Sequence, residues 1–177
     1  LTFTSANWDT PQTVTVTGVD DNTIDGDITS TITIAVDDGN SDNDFDSVND
    51  QTVSVTTTDD DTAGFTITES GGSTSVAETG TTDTFTVVLN AQPDSDVVLS
   101  ITSSDTGEAT VNRPLTFTPA NWDTPQTVTV TGIDDNIIDG TITSTITVAV
   151  NDGRSENNFD SVINFSIFFI EYIRNHY

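Results

Sequence analysis

Carboxylates crowd three short stretches of this chain: V-D-D-N-T-I-D-G-D (Val19 to Asp27), T-D-D-D-T (Thr58 to Thr62) and I-D-D-N-I-I-D-G (Ile133 to Gly140). Two carboxylates 4 Å apart repel by about 1 kcal/mol even in water, and by more where solvent is partly excluded, so stacking them at strand ends invites a divalent cation. Calcium fits best, because it is a hard ion that takes about 6 to 8 oxygens from Asp, Glu and backbone carbonyls. Zinc or copper would want imidazoles and thiolates, and the chain has a single His and no Cys. The alternative is a set of solvated acidic turns held by ordinary Asx chemistry. An EF-hand is excluded: Asp21, Thr23, Asp25 and Gly26 imitate the opening of its loop, but the twelfth position, which needs a bidentate Glu, is Ile32.

Other chemistry has little to stand on. Catalysis is not expected, since His176 is the sole His, Cys is absent, and no Ser or Thr lies in a motif with a base. A formal charge of −26 argues against nucleic acid as a partner. That charge is tolerated through bound cations, through high salt, or by dispersal over the surface. Trp8 and Trp122, each in A-N-W-D-T-P-Q, are read as plugs at the end of a core, and Phe45 and Phe159, each in F-D-S-V, as anchors of a long loop in the same way. The competing reading, a binding module for carbohydrate or another cell-surface partner, would use Trp122 with the loop Asp152 to Asn158. Asn164 heads an N-F-S sequon, a three-residue match of low weight.

The elements that must position the acids are strands. Ile142, Ser144, Ile146, Val148 and Val150 alternate with Thr141, Thr143, Thr145, Thr147 and Ala149, the period of a half-buried strand. Phe85, Val87 and Leu89 repeat the pattern, as do Val97, Leu99 and Ile101, and Val128 and Val130 between threonines. Asp, Gly, Asn and Pro clusters separate these runs, and helical periodicity is nowhere visible, so the expected fold is an all-β sandwich. The chain also repeats itself: Leu1 to Val48 and Leu115 to Val162 align without a gap at a spacing of 114 residues, with 39 of 48 positions identical. Tandem modules are therefore expected. A chain that opens inside a repeat and holds no Met is expected to be a segment of a longer polypeptide. No run reaches the roughly 20 apolar residues of a membrane-spanning helix.

Several short motifs then occur in a telling order: F-T-I-T-E and S-V-A-E (Ser75 to Glu78), T-F-T-V-V-L (Thr84 to Leu89), S-S-D-T-G-E-A-T (Ser103 to Thr110), L-T-F-T-P (Leu115 to Pro119) and T-V-T-V-T-G-I-D-D-N-x-x-D-G (Thr127 to Gly140). Together they resemble the Calx-beta domain, a sandwich of sodium/calcium exchangers and very large bacterial surface proteins. V-S-V-T-T-T-D-D-D (Val53 to Asp61) resembles that family's last strand and its terminal acidic triplet. The resemblance implies Greek-key, immunoglobulin-like sandwich modules in tandem, with residues 1–61 the C-terminal half of one module and residues 62–177 a second. It also implies calcium at one end of each sandwich. Candidate ligands in the second module are Glu78, Asp105, Asp134, Asp135 and Asp139; in the first they are Asp20, Asp21, Asp25, Asp27, Asp59, Asp60 and Asp61. Thr141 stands where the first copy has Asp27, and Ile173, Arg174 and Asn175 stand for the acidic triplet, so the second site is expected to be the weaker.

After Val162 the copies diverge into I-N-F-S-I-F-F-I-E-Y-I-R-N. In ungapped register Ile167 replaces Val53 and Phe169 replaces Val55, so the tail is expected to supply the last strand of its module. The alternative is pairing with another chain by strand addition. The whole reads as a calcium-stabilised structural repeat of a long extracellular or cell-surface adhesin, stalk or filament. Its partners would be neighbouring modules or identical chains in a fibre.

Overall fold

β-Branched and aromatic residues on alternate positions, broken by Asp-, Gly- and Asn-rich turns, yield eleven strands in the computed structural model, which describes residues 1–112, 114–138 and 140–172, with 168–172 in backbone alone. They are β1 (Ile28–Ile34), β2 (Gln51–Thr57), β3 (Phe65–Glu69), β4 (Thr74–Ala77), β5 (Thr82–Leu89) and β6 (Val97–Ser103). The rest are β7 (Ala109–Val111), β8 (Leu115–Phe117), β9 (Gln126–Gly132), β10 (Thr143–Val150) and β11 (Phe165–Tyr172). The chain forms two compact units, Leu1–Asp21 with Asp27–Thr58, and Asn22–Gly26 with Asp59 onward.

The second unit is a Greek-key, immunoglobulin-like sandwich. One sheet has the order β4-β11-β10-β6-β8 and the other β3-β5-β9-β7. Every connection from β3 to β10 crosses between the sheets; only β10 and β11 are both consecutive in the chain and paired. β11 pairs antiparallel with β10 (Ile146 opposite Ile167) and parallel with β4 (Ala77 opposite Tyr172), so the divergent tail, as far as it is described, is an internal strand of its own module. The expected inward faces meet between the sheets: Phe85, Val87, Leu99, Phe117, Val128, Val130, Ile146 and Val148 are sealed from solvent. Phe159 anchors the loop after β10 with no exposure, and Trp122 packs on the edge of this core. Gly132 ends β9 where a Cβ would collide with the Ala77 carbonyl oxygen, so only glycine lets β9 close against the end of β4.

The first unit has one sheet, β1 paired with β2, in the register of its counterpart: Ile32 lies opposite Val53, as Ile146 lies opposite Ile167. Residues equivalent to β8 and β9 form no strands here. The reason is connectivity. In the second unit β8 pairs with β6, and β9 with β5 and β7. The chain contains one copy of those partners, and the second unit uses it. Side chains that are core in the second unit are therefore open in the first: Phe3 is 54% exposed, Val14 53% and Phe45 58%, against 0% for Phe117, Val128 and Phe159. The expected anchoring role of Phe45 thus fails for lack of a facing sheet, and Trp8, 72% exposed, plugs nothing.

Phe159→Ala should lower unfolding stability by about 3–5 kcal/mol, as for other buried Phe truncations. Phe45→Ala should change it by roughly 0.5 kcal/mol or less. Urea unfolding followed by far-UV circular dichroism would separate the two.

Candidate functional site

Strand pairing gathers acids at one end of the sandwich, where β4, β6 and β9 finish and β7 begins. Gly132 abuts Ala77, the residue before Glu78. The next amide, that of Ile133, donates to the Glu108 carbonyl at 2.8 Å, and Asp134 and Asp135 follow. The Asp105 carbonyl accepts from the Ala109 amide at 3.1 Å, tying the β6–β7 loop to the same end. Glu78 stands out: it is 5% exposed, yet its carboxylate has no hydrogen bond or ion pair among the described residues. An ionised carboxylate buried without a partner costs several kcal/mol. Asp134 is exposed and Asp135 and Glu108 are half-buried. Asp139 lies outside the described residues, as do Ile173, Arg174 and Asn175. Nothing in T-G-E-A-T marks Glu108 for this end, because the bond that holds its carbonyl comes from the distant Ile133.

Asx turns take up part of the ligand capacity. Asp105 Oδ1 accepts from the Gly107 amide at 2.9 Å, and Asp135 Oδ1 from the Ile137 amide at 2.7 Å. Each retains a second oxygen for other work. Asp83, another half-buried carboxylate, is fully engaged by the Ser70 hydroxyl and the Ser75 and Thr84 amides. Burial pushes its pKa up, but those three donors outweigh burial and hold it below the usual range. Among the described residues, no three acidic side chains stand close enough to share one ion.

The candidates of the first repeat divide between the units. Asp20, Asp21 and Asp27 belong to the first, and all are exposed. Asp25 and Asp59 to Asp61 belong to the second, at the end of the sandwich opposite Glu78. There Asn22–Gly26 is held down: the Gln92 amide donates to the Asn22 carbonyl at 2.7 Å, Asn158 Nδ2 to the Ile24 carbonyl at 3.2 Å, and Ile24 packs on the core. Asp59 Oδ2 accepts from the Gly26 amide at 2.7 Å, with Gly26 at φ 77°, and Oδ1 accepts from the Asp61 amide at 2.9 Å.

No family model and no curated protein matches this chain. Similar solved structures include the apo form of the Calx CBD1 domain (13% identity, TM-score 0.44, covering 63% of this chain and 98% of that one). Domains 1–6 of the surface layer protein SbsC match at 21% identity and TM-score 0.42 over 71% of this chain, and the E. coli chaperone DraB at 9% and 0.41 over 63%. The matches span 15% of the SbsC structure and 56% of the DraB structure. The sandwich fold follows from the strand pairing itself.

The backbone amide of Asp61, then that of Gly26, stabilises the Asp59 carboxylate and holds its pKa below the ordinary 3.8. A folded pKa below the unfolded one means that these bonds stabilise fully above 3.8 and are lost as pH falls through the folded value. In an NMR titration the Asp59 carboxyl carbon should show a midpoint below 3.8, and the Gly26 amide should move with that midpoint. In Asp59→Asn the Gly26 amide should stop responding.

Proposed function

We propose that the chain is a run of calcium-stiffened structural modules from a long extracellular or cell-surface adhesin, stalk or filament. The observation that carries this reading is Glu78, a carboxylate buried with no partner among the described residues, beside a converging set of acidic loops. A divalent cation is the kind of partner such a group needs. The residues to hold it are Glu78, Asp105, Asp134 and Asp135, with Glu108 beside them. Binding would draw these carboxylates together from their present separation. At the opposite end, Asp25 and Asp59 to Asp61 form a second candidate set, already partly committed to the backbone. Bound calcium would supply positive charge and fixed oxygen coordination, replacing repulsion between loops by a rigid tie.

Repetition supports a structural role. Two copies identical at 39 of 48 positions put their shared chemistry in the acidic loops and the strands, as expected of an array in which the row of modules is the working unit. With extracellular-type affinities of about 10⁻⁴ to 10⁻³ M and millimolar calcium, each site would contribute about 1 kcal/mol, a rise of roughly 4 °C in melting temperature.

Thermal unfolding in EGTA, in calcium and in sodium chloride of matched ionic strength tests this. Calcium alone should raise the melting temperature of the wild type. In Glu78→Gln the rise should be lost, while stability in EGTA should equal or exceed wild type because a buried charge is gone. Equal stabilisation by sodium, or a full calcium response in Glu78→Gln, would sink the assignment.

A further inference from the structure

One segment occurs twice in this chain in two different environments. In the first repeat, Asn22–Gly26 is part of the second unit: Thr23 bridges to Gln92 in parallel, Ile24 packs on the core, and Gln92 and Asn158 bond the Asn22 and Ile24 carbonyls. Its counterpart in the second repeat begins at Asn136. There Ile137, in the place of Thr23, is 63% exposed, and Ile138, in the place of Ile24, is 94% exposed. Gly26 and Gly140, equivalent by the repeat spacing, both take a positive φ, 77° and 90°. Two adjacent isoleucines held out at the end of an acidic loop are costly in water. In the first repeat the equivalent aliphatic side chain is covered by a sandwich.

We infer that Ile137 and Ile138 form a docking knob for a further sandwich module of this same repeat. The knob would be received at the module's counterparts of Gln92 and Asn158, as Thr23 and Ile24 are received here. Each module would then carry the knob at the end bearing Glu78 and its receptor at the opposite end. Contacts of this kind propagate head to tail, and build a filament where the rotation between modules does not close a ring. The inference rests on reading the chain as a run of repeats and is independent of calcium.

The test uses a single cysteine, which the native chain lacks. In the 177-residue chain, the thiol of Ile24→Cys should react slowly with a thiol reagent and that of Ile138→Cys rapidly. In a lengthened chain, residues 1–162 followed by residues 49–177, a further module becomes available; labelling of Ile138→Cys in the middle module should slow by ~10-fold or more. The measurements are made in EGTA, so failure of the calcium reading leaves them intact. Undiminished reactivity of the Ile138→Cys thiol in a folded lengthened chain would overturn the inference. So would protection that arises in the unlengthened chain with rising concentration, which would name a second copy as the occupant. Should the lengthened chain not fold, a 177-residue chain carrying Ile24→Asp, which vacates the receptor, should protect the thiol of an Ile138→Cys chain when added in excess; failure to protect would overturn the inference equally.

Discussion

Cross-sheet connectivity governs this molecule. From β3 to β10 each strand leaves for the opposite sheet, so nearly every hydrogen-bonded neighbour is distant in the chain. The β10–β11 pair alone is local, and that pair alone has a counterpart in the first unit. Near-identical residues thus give a sealed core in one place and an open sheet in the other. A strand's alternation defines an inward face, but burial requires a second sheet to face it, and most of the hydrophobic gain arises only when both are present.

The same constraint places the acids. Because strands run end to end between the two ends of the sandwich, loops that are far apart in sequence meet there. β9 closes on β4 through Gly132, bringing Asp134 and Asp135 towards Glu78 and the Glu108 backbone. Solvent exclusion makes Glu78 different from the exposed and half-buried acids around it. Repulsion among exposed carboxylates is screened by water, whereas a buried carboxylate has no such relief. Backbone amides, meanwhile, already occupy oxygens of Asp59, Asp105 and Asp135, so Asx turns shape these loops by themselves. Hydrated turns and cation sites are therefore compatible readings of the loops: at Asp105 and Asp135 the turn uses one carboxylate oxygen and leaves the other.

Much of the architecture was legible in residues. The alternation of Ile142 to Val150 marked β10 and its inner face, and the ungapped register of the tail marked Ile167 as a residue of the last strand, where it pairs with Ile146. The anchoring role of Phe159 was legible as well. The identical argument for Phe45 failed, because a motif reports local conformation and not the presence of a distant partner. Among the candidate ligands, the runs of adjacent aspartates were conspicuous, but nothing in S-V-A-E distinguishes Glu78 as the buried member. The division of the first repeat's acids between two units was likewise invisible, since Asp21 and Asp25 are four residues apart in one loop.

By itself, then, the sequence determined the period, the strands, their inward faces and the acidic character of the loops, because each follows from the chemistry of neighbouring residues. Tertiary structure alone decided which of two near-identical halves buries its core, which carboxylate is shut away from water, and which of two equivalent isoleucines, Ile24 or Ile138, is covered. Burial and charge pairing depend on what arrives from elsewhere in the chain, and that is a property of the folded neighbourhood.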